Sequence, residues 1–231
     1  MTAERPVWLD GASGTLGRAV LSRLHTQQRR VLALYRKSPP FEVHWPHEIL
    51  PSQPQDWPDK AEAWFQNYGA PSSLICMSGR TLNRLALKTS EQETFELFEA
   101  NFNHPRRLIT ACLPWMMRAG GGSIIVCSSH AAQHPRTGQS AYAATKGALE
   151  SWIRGLAKEL GSKNIRVNAI APGFIESPMW RELSPQHQAH ILESIALGRT
   201  GTPDEVAAVV DFLSSPHSTY ITGQIIRVAG G

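Results

Sequence analysis

The sequence predicts a doubly wound α/β fold on a parallel sheet. Two observations carry this. Apolar runs recur at Val7–Asp10, Val31–Tyr35, Ser73–Met77, Ser123–Ser128, Ile165–Ala171 and Gln224–Val228. They are continuous rather than alternating, as strands buried on both faces are. Between them lie amphipathic stretches near 15–27, 90–118, 140–161 and 203–213. Such alternation implies crossover connections, and right-handed crossovers place helices on both faces of the sheet. A chain of 231 residues fits one domain with a sizeable core. No stretch has the composition of a linker, so 1–231 is expected to form a single domain of about seven strands.

The first run leads into "LDGASGTLG", Leu9–Gly17. A turn after a strand and before a helix offers free backbone N–H groups at a positive helix end. Gly11 can take positive φ, Gly14 follows, and Gly17 lets helix and strand approach closely. By itself this pattern is equally compatible with a turn that binds no nucleotide. The second run ends in Tyr35-Arg36-Lys37. An acidic residue there would meet a ribose 2′-hydroxyl, whereas basic residues accommodate a 2′-phosphate. This favours NADP(H) over NAD(H), against the alternative of a merely solvated strand end. Residues 38–60 contain six prolines and cannot form a regular helix. Phe41–Trp45 is the one candidate strand there.

The segment 128–150, "SSHAAQHPRTGQSAYAATKGALE", carries the chemistry. Tyr142 and Lys146 are four apart on a predicted helix and share a face. A lysine cation about 4 Å from a phenolate contributes roughly 4 kcal/mol at an effective dielectric of about 20. That would bring the phenol toward neutrality, where proton transfer benefits from matching. Ser129 ends a strand 13 residues earlier and is placed to polarise a carbonyl.

Hydrophobic residues make up 42% and charged residues 18% of the chain, which is globular composition. No apolar run reaches the roughly 20 residues of a membrane helix, and the N-terminus lacks a signal-peptide h-region. The net charge of +4 is too small and scattered for nucleic-acid binding. Cys76, Cys112 and Cys127 are read as thiols of a reducing compartment rather than a disulfide framework. The pairs His130/His134 and His187/His190 lack a third ligand at sensible spacing, so no metal is expected.

In order and spacing, Ser129, "YAATK" at 142–146, "IRVNAIAPGFIESPM" at 165–179, "GRTGTPDEVAAVVDFLSSPHSTYITGQ" at 198–224 and Asn101 in "FEANFNHPRRLITACLP" resemble the short-chain dehydrogenase/reductase family. The resemblance covers nearly the whole chain except 38–70. It implies a Rossmann-type fold with a tetrad of Asn101, Ser129, Tyr142 and Lys146. Tyr142 would be the general acid of carbonyl reduction, Ser129 would hydrogen-bond the substrate oxygen, and Lys146 would bind the nicotinamide ribose and lower the tyrosine pKa. Asn101 would hold a water through its backbone carbonyl. Pro105, four residues on, has no N–H and crowds that carbonyl, so it must find another partner and the helix should kink.

By the same resemblance, Gly11, Ser13, Gly14, Thr15, Leu16, Tyr35, Arg36, Lys37, Gly79, Pro172, Gly173, Ile175 and Ser177 would meet the cofactor, together with Tyr142 and Lys146. Residues 177–200 would form a mobile substrate lid. Met179, Trp180 and Leu183 would either line an acyl or aryl pocket or pack in the core.

The segments 78–101 and "GQSAYAATKGALE" look most like the 3-oxoacyl-[acyl-carrier-protein] reductase branch. Carrier proteins are acidic, so Arg118 and Lys163 are candidate docking residues, against a reading as solvated surface charge. The implied enzyme is cytoplasmic and a homotetramer or homodimer. A reductase of a small ketone, sugar or steroid alcohol, and a non-catalytic nucleotide sensor on the same fold, remain the alternatives.

The chain departs from the family in places. Cys76-Met77-Ser78-Gly79 stands where Asn-Asn-Ala-Gly is usual, and Gly14 and Thr15 are exchanged relative to the common glycine spacing. "RVAGG" replaces "VDGG", and the aspartate that ends the third strand has no match. Asp10 replaces a threonine. It is expected to accept backbone N–H bonds near Ser78 and Gly79, compensating for the missing asparagines.

Overall fold

A computed structural model describes residues 5–35, 47–51 and 57–231. Seven parallel strands form one sheet in the order β3-β2-β1-β4-β5-β6-β7. They are β1 (Val7–Asp10), β2 (Val31–Tyr35), β3 (His47–Pro51), β4 (Ser73–Cys76), β5 (Gly122–Cys127), β6 (Ile165–Pro172) and β7 (Ile225–Val228). The helices are α1 (Thr15–Thr26), α2 (Trp57–Tyr68), α3 (Glu91–Phe98), α4 (His104–Arg118), α5 (Ser140–Leu160), α6 (Pro178–Arg181), α7 (Pro185–Glu193) and α8 (Pro203–Ser214). The strand order reverses direction between β1 and β4, and ligands of such sheets bind beyond the carboxyl ends of the strands at that point.

Strand residues divide between two cores because side chains alternate. Val7, Leu9, Val31, Ala33, Ile75 and Ile125 pack with Val20, Leu21 and Leu24 of α1 and Val206 and Val210 of α8. On the other face Trp8, Leu32, Leu34, Leu74 and Ile124 pack with Phe65, Leu108, Cys112, Leu149 and Ile153. Trp8 stacks on Phe65 at 4.8 Å between centroids, and Phe65 on Trp115 at 4.7 Å.

One expectation for the proline-rich segment needs correction, and another lies outside the described residues. The third strand lies at His47–Pro51, paired with β2, while Phe41–Trp45 lies outside the described residues. A helix begins at Trp57, inside 38–60. Pro58 is its second residue, a position where the missing N–H costs nothing.

The stretch 90–118 is not one regular helix. Five residues of π geometry, Glu99–Asn103, separate α3 from α4, and the His104 N–H reaches back five residues to Glu99 C=O. Pro105 has no N–H to close the four-residue ladder to Asn101. The expected interruption is therefore a widened turn.

Candidate active site

β1 ends in the phosphate-type turn. Gly11 has φ +78°, and a Cβ there would sit 2.5 Å from Ser78 N. A Cβ on Gly17 would sit 2.1 Å from Gly11 O. The N–H groups of Gly11 and Ala12 both donate to Leu34 C=O, at 3.1 and 3.2 Å. Gly14 starts α1 with no side-chain cap, and no acidic residue occupies the first turn. The helix therefore offers its first N–H groups and positive end to an anion. Ser13 C=O is held by Arg18 Nε at 3.0 Å, while Thr15 and Leu16 line the neighbouring cleft. A dinucleotide pyrophosphate fits this cradle. Tyr35 is half-buried at the end of β2, and Arg36 and Lys37 lie outside the described residues.

Asp10 turns away from the cradle. Its carboxylate is fully buried, accepts the Ser78 hydroxyl, and lies 3.0 Å from His104 Nε2. The sideways orientation matches expectation, and the partners include two side chains, Ser78 and His104. The nearby backbone bond runs from Met77 N–H to Asp10 C=O at 2.9 Å. His104 was invisible to sequence reasoning because it stands 94 residues away and only α4 brings it in.

The chemistry-bearing residues lie where β4, β5 and α5 meet. Ser129 follows β5, and its Oγ accepts the Ala131 N–H at 3.2 Å. Tyr142 is buried and lines the same cleft as Ser129. Lys146 is 2% exposed, and its Nζ donates to Cys127 C=O at 2.7 Å. A Cβ on Gly79 would lie 3.2 Å from Asn101 Oδ1 and 3.3 Å from Lys146 Nζ, so these three groups share one corner. Asn101 Oδ1 accepts the Arg80 N–H at 2.7 Å, and its Nδ2 donates to Arg80 C=O and Thr145 Oγ1.

The expected pull of Lys146 on the phenol is not what the geometry gives. Burial pushes Tyr142 up to about 12, partly offset by the neighbouring Ser129 hydroxyl. Lys146 Nζ stands 6.0 Å from the Tyr142 ring centroid, with its charge directed at the Cys127 carbonyl. Burial lowers the lysine's own pKa as well. Desolvation therefore outweighs attraction for the pair.

Glu150 is a further buried group that sequence reasoning missed. It is 3% exposed, accepts the Ser128 hydroxyl at 2.7 Å, and accepts Gln133 Nε2 at 3.3 Å. One carboxylate thus holds both ends of the short turn that carries Ser129. Its place eight residues after Tyr142, on the inward face of α5, was the available signal.

A cleft of about 1000 Å³ opens at this corner. Ser129, Tyr142, Pro172, Gly173, Ile175 and Ser177 all line it. Ile175 is held by a bridge to Gly201, and Ser177 caps α6 by accepting the Trp180 N–H at 3.2 Å.

Residues 51–231 match the family model described as enoyl-(acyl carrier protein) reductase. The chain is a short-chain dehydrogenase/reductase. It is similar to curated proteins described as 3-oxoacyl-[acyl-carrier-protein] reductase FabG. The one from Pseudomonas aeruginosa is 40% identical over 72% of this chain and 67% of its own length. Those from Thermotoga maritima and Chlamydia muridarum are 38% and 37% identical, over 72% and 74% of this chain and 68% and 69% of theirs. This short-chain dehydrogenase/reductase is accordingly an NAD(P)-dependent oxidoreductase acting on a ketone/alcohol pair.

Met179, Trp180 and Leu183 line the cleft, and Met179 is 54% exposed rather than packed in a core. Arg118 and Lys163 require correction as cleft-mouth residues. Arg118 ends α4, with its guanidinium 5.0 Å over the Trp115 ring, and Lys163 precedes β6. Both stand at the amino-terminal edge of the sheet, opposite the cleft, because the crossover helices end there before each strand begins. His130 and His134 stack on each other at 4.7 Å, and His187 and His190 line the cleft. Among the described residues no three metal-ligating side chains gather, and no helix is long and apolar enough to cross a membrane.

Proposed function

We propose that this enzyme reduces a 3-oxoacyl thioester, carried on an acyl carrier protein, to the 3-hydroxyacyl thioester, with NADP(H) preferred over NAD(H). The observation that carries the reading is that Ser129 and Tyr142 face one cleft, shared with Thr15 and Leu16 at the start of α1. The substrate class rests on the printed descriptions of the relatives.

Gly11, Ser13, Gly14, Thr15 and Leu16 would hold the cofactor's phosphates and ribose, with Tyr35, Arg36 and Lys37 at its 2′-phosphate. Gly79, Pro172, Gly173, Ile175 and Ser177 would flank the nicotinamide half. When bound, the cofactor supplies the hydride. The protein's own part is positional and protic. The Ser129 hydroxyl orients the substrate carbonyl, and Tyr142 Oη gives its proton to the oxygen as charge develops there. Lys146, held by the Cys127 carbonyl beside Asn101, binds the ribose and, as a cation, offsets the phenolate charge left on Tyr142. Asn101, fixed by Arg80 and Thr145, connects that lysine to solvent through its main-chain carbonyl.

The chain acts as one dinucleotide-binding domain, with a lid at about 177–200 that contains α6 and α7. It works in the cytoplasm as a homotetramer or homodimer. The exposed Phe95 and Met117, at 59% and 38%, support an interface along the 90–118 stretch.

The deciding experiment is a panel of acetoacetyl thioesters and free ketones with NADPH consumption as readout. The thioesters are expected to give the higher kcat/KM, and a preference for free ketones would overturn the reading. Titration of the two cofactors against protein fluorescence is expected to give NADPH at least about tenfold tighter, as a charge-assisted phosphate contact implies. Equal affinity, or tighter NADH, would remove the role given to Arg36 and Lys37.

A further inference from the structure

Among the described residues that line the cleft, Arg136 is the one arginine or lysine. Arginines on neighbouring segments are neutralised within the chain. Arg80 pairs with Glu96, Arg84 with Glu93 at 2.8 Å, and Arg199 with Glu205 at 2.6 Å. Among the described residues no carboxylate pairs with Arg136. The one acidic residue in the lining among the described residues, Glu176, acts on Arg199 instead.

The segment that carries Arg136 is well held. Its own N–H donates to Gln139 Oε1 at 3.0 Å, and Gln139 N–H returns a bond to Arg136 C=O at 2.9 Å. Gln139 Nε2 reaches Asn83 Oδ1, and Arg84 N–H reaches Gly138 C=O at 2.8 Å. The guanidinium lies 5.2 Å over the ring of Phe174, which in turn meets Trp180 at the start of the lid. An arginine laid on an aromatic face keeps its outward N–H fork available for a bidentate oxyanion. His187 and His190 of α7 line the same cleft and bring further hydrogen-bonding capacity.

We propose that Arg136 recognises an anionic group on the substrate at the mouth of the cleft. That group is either the phosphodiester of a carrier arm or a carboxylate on the acyl chain. Both present paired oxygens with delocalised negative charge to the guanidinium fork. The proposal rests on the thioester reading above and narrows its substrate class.

The test compares four 3-oxo thioesters with wild-type enzyme, Arg136→Met and Arg136→Lys. Two are neutral, the N-acetylcysteamine and pantetheine thioesters of acetoacetate. One carries phosphate on the arm, the phosphopantetheine thioester. One carries a terminal carboxylate on the acyl group of the N-acetylcysteamine thioester. The readout is the ratio of kcat/KM for each anionic substrate to that of its neutral counterpart. Arg136→Met keeps an apolar stem over Phe174 and is expected to lower that ratio by about tenfold for one anionic substrate, mainly through KM. Arg136→Lys should retain a good part of it, and added salt should compress it in the wild type. The substrate whose ratio collapses names the source of the anion. Ratios unchanged in Arg136→Met, or equal losses on all four substrates, would overturn the role of Arg136 while leaving thioester reduction intact. Failure of the wild type to reduce any of the four would instead sink the thioester reading itself.

Discussion

Replacing Tyr142 with phenylalanine is expected to lower kcat by about a thousandfold, the usual worth of a positioned acid, while NADPH still binds. The phenol oxygen is the one group removed. The ring stays buried, Lys146 keeps its bond to Cys127 C=O, and the turn around Gly11 is untouched. The pH profile gives a second readout. Burial holds the Tyr142 pKa near 12, above its ordinary value of about 10. The proton donor of reduction is therefore fully loaded across the neutral range, and its contribution to that direction stays level with pH. Oxidation of the alcohol needs the phenolate, so its rate should climb as pH rises toward that value. Steady-state kinetics in both directions check this. Near-normal turnover by Tyr142→Phe would remove the proposed acid.

Replacing Asp10 with alanine is expected to destabilise the fold by about 3 kcal/mol, because a buried imidazole and a half-buried hydroxyl lose their acceptor. The Ser78 hydroxyl and the His104 imidazole both converge on its Oδ2. In a chain of this size that loss lowers Tm by roughly 6–12 °C. The same carboxylate joins the end of β1 to the segment after β4, where a Cβ on Gly11 would already strike Ser78 N. Cofactor affinity should therefore fall together with stability. Thermal unfolding and NADPH titration of Asp10→Ala measure both. A variant with unchanged Tm would show that the buried cluster contributes nothing to holding the turn.

Sequence and structure part company in instructive places. Continuous apolar runs located β1, β2 and β4 to β7 because a strand buried on both faces has no other composition open to it. The edge strand β3 escaped because His47–Pro51 is polar at its start, ended by proline and set in a proline-rich stretch, so neither period nor composition marks it. The corner where Asn101, Ser129, Tyr142 and Lys146 gather was legible from the family resemblance, since they come from three segments and only Tyr142 and Lys146 share an element. Asp10 was only half readable. Its direction followed from the strand, but His104 depends on how α4 packs, and no local pattern encodes that. Arg118 and Lys163 adjoin the right elements in sequence and occupy the wrong edge of the sheet. Proximity along the chain fixes which strand a residue serves, not which end.

The π turn at Glu99–Asn103 has a consequence for insertions and deletions. Each residue of an α-helix turns the chain by about 100°, so a turn that takes in one extra residue puts α3 and α4 out of phase by about that angle. The phase difference lets one nearly continuous rod serve two neighbours, with α3 against α5 and α4 against α2 and β5. A chain shortened by a single residue between Phe98 and His104 could close into an uninterrupted α-helix only by rotating one half. That rotation would carry Asn101 away from Arg80 and Thr145, or His104 away from Asp10. The length of this five-residue stretch is therefore as constrained as the identity of any residue in it.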